Sequence, residues 1–309
     1  MRLLFMGTPE FAVTTLEMLH AHGHQIAAVV TAPDKPQGRG LKPEPSAVKV
    51  CAGQLGLPVY QPVSLKDPET AETLRAFQAD VFIVVAFRML PEVIWSIPPL
   101  GSYNLHASLL PQYRGAAPIN WAIINGESMT GVTTFRIRQE IDTGNIVFQE
   151  SEPILPDDTA GTLYERLRQK GARLVRDTVD AIAAGNQPNI PQPPHGESLK
   201  PAPKIFRETC RINWALPSED VVNFIRGLSP FPGAWTTLEG KTFKIHFARN
   251  GRTSINDSPG QIIRREGDIL EVACGTGSVT CTEVQPEGKR RMPAVEFLRG
   301  HRFTQTRFE

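Results

Sequence analysis

Apolar residues recur along this chain in two rhythms, and the change of rhythm marks its parts. Residues 2–6 (RLLFM) form a short apolar run that stops at Gly7-Thr8-Pro9. Pro9 suits the first turn of a helix, where its missing N–H is no loss. Phe11, Leu16 and Leu19 then fall on one helical face, and Gly23 can end the helix. A β-type run follows at 25–31 (QIAAVVT). Strand, helix and strand in this order predict a parallel sheet with crossover helices. Further strands are expected at 81–87, 102–108 and 131–138, with a helix at 116–125. A long amphipathic helix is expected at 158–184, with Leu163, Leu167, Leu174, Val175 and Ile182 facing a core and Asp157 or Asp158 as its cap.

Beyond residue 204 the rhythm shortens. After a helix at 218–227, brief β runs at 241–247, 261–264, 269–273 and 278–284 alternate with Gly, Asn and Pro, which predicts a small barrel. Two segments carry neither period. Residues 32–45 hold four prolines and two glycines and form a loop long enough to be functional. Residues 187–203 hold six prolines, the composition of a semi-rigid extended linker. The expected organisation of the 309 residues is therefore a first domain at 1–186, a linker at 187–204 and a second domain at 205–309.

Composition changes this picture little. The net charge is +1, but residues 1–204 hold 18 basic and 20 acidic side chains, whereas residues 205–309 hold 15 and 12. The positive lean of the second part hints at a polyanionic partner. Cys51, Cys210, Cys274 and Cys281 form no Cys-x-x-Cys pair and read as reduced thiols. No metal is expected: His20, His22 and His24 alternate, but they straddle the helix end at Gly23. The apolar opening is too short for a signal segment or a membrane span, so a soluble cytoplasmic protein, monomeric and without a membrane partner, is expected. Gly7 stands alone, without Gly-x-Gly-x-x-Gly, which disfavours a nicotinamide dehydrogenase.

The densest polar cluster is Asn104-Leu105-His106-Ala107-Ser108-Leu109-Leu110-Pro111. On a strand, a period of two puts Asn104, His106 and Ser108 on one face. Unpaired polar groups cost roughly 1–3 kcal/mol each when buried, so such a face belongs at the carboxyl end of a parallel strand, where ligands sit. Asp142 follows in Ile141-Asp142-Thr143-Gly144. An amide, an imidazole and a carboxylate suit acyl transfer to an amine. By spacing alone, a structural histidine and a turn aspartate explain these residues as well.

These residues carry a resemblance. Phe5-Met6-Gly7-Thr8-Pro9-Glu10-Phe11-Ala12, Pro33-Asp34-Lys35-Pro36, the Asn104–Pro111 run, Tyr113-Arg114-Gly115-Ala116-Ala117-Pro118-Ile119 and Asp142-Thr143-Gly144 resemble the folate-dependent formyltransferases, and among them those that act on methionyl-tRNA. Arg211-Ile212-Asn213-Trp214 and Ile225-Arg226-Gly227-Leu228-Ser229-Pro230 extend the likeness past the linker. The resemblance implies a Rossmann-like α/β catalytic domain with a parallel sheet, followed by a C-terminal OB-like β-barrel. It implies 10-formyltetrahydrofolate as cosubstrate and initiator methionyl-tRNA as acceptor. It implies Asn104, His106 and Asp142 as the catalytic trio, with Ser108, Leu109, Leu110 and Pro111 against the folate and Phe87, Met89 and Leu90 in the pterin pocket. The run at 84–91 is one residue shorter than the family's usual pattern and lacks its Gly, and Glu140 stands where a Gly is common. For the tRNA, a basic loop with Lys35, Arg39, Lys42 and Lys49 is expected to reach the acceptor arm, and Lys289, Arg290 and Arg291 to meet phosphates. Composition alone fits a solvated loop and a solvated hairpin tip equally well. Within the enzyme class the rival acceptors are an amino sugar nucleotide and glycinamide ribonucleotide; outside it, the rival is a catalytically idle RNA-binding module.

Overall fold

The computed structural model describes residues 1–37, 42–193, 199–264, 269–300 and 305–309. The chain divides into two compact units, one formed by residues 1–115, 130–152 and 164–201, the other by 116–129, 153–163 and 202–309.

The first unit is built on strands β1 (Arg2–Gly7), β2 (Gln25–Val30), β3 (Lys35–Gln37), β4 (Lys42–Glu44), β5 (Val59–Tyr60), β6 (Val81–Val85), β7 (Ser102–His106), β8 (Met129–Arg136) and β9 (Ile146–Pro153). Helices α1 (Glu10–Ala21), α2 (Ala47–Gln54), α3 (Pro68–Ala76) and α4 (Glu92–Trp95) connect the earlier strands. Seven of these strands form one sheet in the order β5-β2-β1-β6-β7-β8-β9. The pairs from β5 to β7 are parallel, and β7 pairs antiparallel with β8. The fold is Rossmann-like: chain direction across the sheet reverses between β1 and β6, so the crevice lies at the carboxyl ends of β1, β6 and β7. All five residues of β6 are buried, as befits a strand covered on both faces. Leu4, Met6, Phe82 and Val84 pack there with Leu74 and Ile94. Local chemistry starts the helices: the Ser46 hydroxyl accepts from the Lys49 N–H at 3.1 Å, and Asp67 accepts from Glu69 at 3.1 Å with Pro68 in the first turn.

Helix α5 (Pro118–Ile124) precedes the long α6 (Ala160–Ala183). Leu163, Leu167, Leu174, Val175 and Ile182 are all buried, as their spacing predicts. The cap differs from expectation. Thr159 caps α6, since its hydroxyl accepts from the Thr162 N–H at 3.2 Å. Asp158 instead accepts from the Leu155 N–H at 2.7 Å and from the Thr162 hydroxyl at 2.8 Å, bracing the turn before the helix.

The second unit contains α7 (Ser218–Gly227), strands β10 (Ala234–Leu238), β11 (Lys241–Asn250), β12 (Ile262–Arg264), β13 (Leu270–Ala273), β14 (Ser278–Pro286) and β15 (Met292–Pro293), and α8 (Ala294–Gly300). The strands run antiparallel in the order β10-β11-β14-β13-β12, with β15 on β14. The sheet curls, and the tail at 305–309 bridges its two ends. Glu309 exchanges 3.0 Å backbone hydrogen bonds with Thr237 next to one edge, while Thr306 and Phe308 pair with Ile262 and Gly260 at the other. Phe308 anchors this closure at 1% exposure, stacked on Trp214 at 5.7 Å.

Three local readings change. The proline-rich loop at 32–45 contains a ribbon in which Lys35 to Gln37 pair with Glu44 to Lys42. Strand β9 escapes notice because its middle is polar: Glu150 and Glu152 are held by Lys170 of α6 at 2.8 and 3.1 Å. Strand β10 hides a buried polar position, Thr236, whose hydroxyl bonds the Trp214 indole and the Glu309 carbonyl.

Candidate active site

Strand β7 carries two of the expected side chains toward its carboxyl end. Asn104 is half-buried and makes no side-chain hydrogen bond among the described residues. Its register neighbours are Val84 on β6 and Phe135 on β8. His106 is the last strand residue and is 6% exposed. Its Nε2 lies 2.8 Å from the Tyr113 carbonyl oxygen, which only accepts, so Nε2 is assigned a proton. Its Nδ1 faces Asp142 Oδ2 at 3.7 Å, within ion-pair reach but longer than a hydrogen bond.

Asp142 arrives from the turn between β8 and β9. Its φ of 55° is left-handed, a conformation that aspartate tolerates better than most residues. The same Oδ2 that faces His106 accepts from the Gly115 N–H at 3.0 Å. Gly144 closes the turn against the Arg136 backbone, where an added Cβ would overlap the carbonyl oxygen. The structure thus brings His106 and Asp142 together from sequence positions with no local link, and Asn104 shares the strand of His106.

Ser108 does not continue the Asn104–His106 face. The strand ends at His106, and Ser108 is fully buried, its hydroxyl bonding the Gln112 carbonyl at 2.6 Å while its own carbonyl accepts from the Thr133 hydroxyl. Leu110 is also buried, whereas Leu109 and Pro111 are half-buried. At the carboxyl end of β6, Phe87 is half-buried, Met89 is 70% exposed and Leu90 is buried. Ala86 takes the left-handed turn there with a φ of 47°. Arg88 covers the Phe87 ring at 5.3 Å and donates to the carbonyls of Pro62 and Val63, tying this turn to the neighbouring loop.

The expected cations divide. Arg39 lies outside the described residues, and of Lys42 only the backbone pairing in β4 is described. Lys35 is exposed. Lys49 is bound to Asp34 at 2.6 Å, and Gln61 donates to the same carboxylate at 2.8 Å. Those hydrogen bonds, led by the one from Lys49, hold the Asp34 carboxyl below its usual range. In the second unit Lys289 is exposed, Arg290 pairs with Glu296 at 2.6 Å, and Arg291 pairs with Glu283.

Sequence reasoning missed what surrounds Asp142. A cavity of about 390 Å³ opens beside its turn, lined by Arg114, Arg138, Glu140, Thr143 and Gln192 among others. It is charged, and neither Asn104 nor His106 lines it. Burial lowers the Arg114 guanidinium from its ordinary value, against the pull of Asp142 and Glu140. Gln192 comes from the segment expected as a linker, most of which counts with the first unit. No local pattern marks a single glutamine among prolines. Among the described residues no cluster of three His, Cys, Asp or Glu could hold a metal ion, and no helix is long and apolar enough to cross a membrane. All four cysteines are free and buried, and burial pushes the Cys51 thiol up to about 11 and Cys274 up to about 12.

Comparison with known proteins identifies the family. A formyl transferase family model matches residues 1–179, and the formyl transferase C-terminal domain matches residues 204–302. A methionyl-tRNA formyltransferase from Parabacteroides distasonis is 48% identical over 97% of this chain and 95% of its own. One from Citrifermentans bemidjiense is 44% identical over 98% and 94%. In fold, the chain is similar to an N-formyltransferase from Helicobacter canadensis solved with folinic acid and dTDP-3-aminofucose (TM-score 0.66, 22% identity, covering 92% of this chain and 98% of that one). It is also similar to HypX from Aquifex aeolicus in complex with tetrahydrofolic acid (TM-score 0.65, 18% identity), of which it covers 96% of this chain and 47% of that one.

Proposed function

This chain belongs to the methionyl-tRNA formyltransferases, and from that premise we propose that it takes its formyl group from 10-formyltetrahydrofolate, places it on the α-amine of initiator methionyl-tRNA, and uses Asn104, His106 and Asp142 to do so. The observation that carries the reading is the meeting of His106 Nδ1 and Asp142 Oδ2 at 3.7 Å, with the strand of His106 also presenting the Asn104 amide, which makes no side-chain hydrogen bond among the described residues.

The donor supplies the formyl carbon and leaves as tetrahydrofolate. The chain's residues fit it. Phe87 and the exposed Met89 offer apolar surface for a flat heteroaromatic ring, and Leu109 and Pro111 offer more. Ser108 and Leu110 contribute by fixing the turn that carries them.

Each trio member has a separate task. The amine must attack unprotonated, and negative charge grows on the formyl oxygen as its nitrogen bonds the carbon. The Asn104 amide, which makes no side-chain hydrogen bond among the described residues, donates to that oxygen. His106 has its Nε2 committed to the Tyr113 carbonyl, so Nδ1 is the nitrogen left to hold the moving proton. The Asp142 carboxylate stabilises the charged imidazole across 3.7 Å. The proton lost by the amine reaches the departing folate nitrogen as the carbon–nitrogen bond to the folate breaks. No covalent bond to the protein is required.

Recognition of the tRNA rests on the basic groups. Lys35 and Lys289 are exposed, and Arg39 lies between Gly38 and Gly40 in the sequence of the same basic loop as Lys35. A phosphate-rich partner suits such groups. Arg290 and Arg291 reach it only by sharing their acidic neighbours.

A formylation assay with methionyl initiator tRNA and 10-formyltetrahydrofolate tests the reading, run beside an amino sugar nucleotide and glycinamide ribonucleotide as competing amines. Transfer to the tRNA alone is expected. Preference for either small amine would overturn the acceptor assignment. Arg39→Ala is expected to raise KM for the tRNA about tenfold, the scale of a lost specific contact, with KM for the folate unchanged. Equal changes in both would remove the loop from tRNA recognition.

A further inference from the structure

Gln192 stands outside the catalytic trio, in the proline-rich segment, yet the Asp142 turn is built around its amide. Its Nε2 donates to the Asp142 carbonyl at 2.8 Å and to the Gly144 carbonyl at 2.7 Å. Its Oε1 accepts from Arg114 Nε at 3.2 Å and Nη2 at 2.6 Å. Both amide hydrogens and the amide oxygen are thus spent. Asp142 needs such support. Its left-handed backbone, although one that aspartate tolerates, still needs holding in one place, and turn carbonyls have no ladder partner to satisfy them.

The segment that carries Gln192 is itself anchored. Ile190 exchanges backbone hydrogen bonds of 2.8 and 2.9 Å with Ile146, and the Asn145 side chain donates to Asn189 at 2.9 Å. On the other side, Arg114 immediately precedes Gly115, whose N–H grips Asp142 Oδ2 at 3.0 Å. One side chain therefore ties the backbone of Asp142 to the turn that holds its carboxylate.

We infer that Gln192 is a positioning residue for formyl transfer: it fixes the Asp142 carboxylate opposite His106 Nδ1 and acts on the reaction only through Asp142. The inference rests on the roles proposed for His106 and Asp142. A misplacement of about 1 Å in a catalytic group costs on the order of 10²-fold in rate. A residue that merely stabilised the fold would leave the turnover of folded enzyme alone.

Gln192→Glu separates these cases. The side chain keeps its size and its bond to Arg114, but a carboxylate oxygen replaces the donors that faced two carbonyls. We expect kcat to fall about 10²-fold, with KM for folate and tRNA each within about twofold. Hydrogen exchange at the Gly115 amide should accelerate as its carboxylate acceptor drifts away. In an Asp142→Asn background the same change should cost no further activity, since the group it positions is already gone. Where the Glu variant does not fold, Gln192→Leu, which removes the polar contacts without adding charge, replaces it. Unchanged kcat and unchanged Gly115 exchange would overturn the inference, as would an equal loss in the Asp142→Asn background. If the wild-type enzyme fails to formylate methionyl-tRNA, the proposed acceptor is wrong, and Gly115 exchange still judges the positioning role.

Discussion

Two buried histidines in this protein show what burial does and does not accomplish. His106, at the end of β7, is 6% exposed; His246, in β11 of the second unit, is 3% exposed. Each has one ring nitrogen on a neutral oxygen, the Tyr113 carbonyl for His106 and the Gln285 amide oxygen, at 3.1 Å, for His246. They differ at the other nitrogen. His106 Nδ1 faces a carboxylate across 3.7 Å. His246 Nδ1 is buried and, among the described residues, has no hydrogen-bond partner. Burial pulls the His246 imidazole below its ordinary value, the Gln285 hydrogen bond opposes this, and the nearby Arg291 and Lys244 reinforce it. A histidine kept neutral by burial and nearby cations fits a packing residue. One that keeps a nitrogen beside a carboxylate and an open amide has a route for a proton. On the proposed reading, the carboxylate facing Nδ1, and not the depth of burial, sets His106 apart from His246.

Substitutions can break this contrast. The largest effect should come from His106→Ala, which removes the proposed proton carrier. Transfer is expected to drop about 10³-fold or more, while circular dichroism and thermal unfolding show a folded protein. Near-normal turnover of the purified variant would make His106 a packing residue like His246. Asp142→Asn keeps the shape and removes the charge, and should cost about 10²-fold in kcat, with little change in folate KM. An effect on KM alone would assign Asp142 to binding.

The smallest effect belongs to His246→Gln. Activity should not change. Because the folded protein holds the His246 imidazole below its ordinary value of 6.5, the unfolded chain takes up the proton first as pH falls. Stability is therefore fully present above pH 6.5 and declines as pH drops from there toward the lowered folded value. One group accounts for at most about 1.4 kcal/mol per pH unit. Unfolding midpoints measured from pH 7.5 to 5 should slope less steeply in the variant. His24, also lowered chiefly by burial, leaves a residual slope in the same direction. An unchanged slope in His246→Gln would show that its ring is not buried neutral.

The pattern of the chain makes much of this legible. The opening strand, helix and strand, the apolar face of α6 and the short strands of the second unit all follow from spacing, because each buries a continuous face of its own. Asn104 and His106 are legible for a similar reason: they sit two apart on one strand, and polar side chains at such a position need an explanation. Ser108 shows where that logic stops, since the strand ends at His106, two residues before the end expected from its composition. Strands β9 and β10 were hidden because their buried polar positions, Glu152 and Thr236, are satisfied by partners far along the chain.

By itself, then, the order of residues determined the layered α/β start, the β-rich end and the two side chains on β7, because period and turn chemistry act over neighbours. The tertiary structure alone decided which nitrogen of His106 is free, where Asp142 points and that Gln192 grips its turn. Those outcomes depend on hydrogen bonds between residues up to 78 positions apart, such as Arg114 to Gln192. No local rule carries information over that distance; only the folded backbone brings the donors and acceptors within reach.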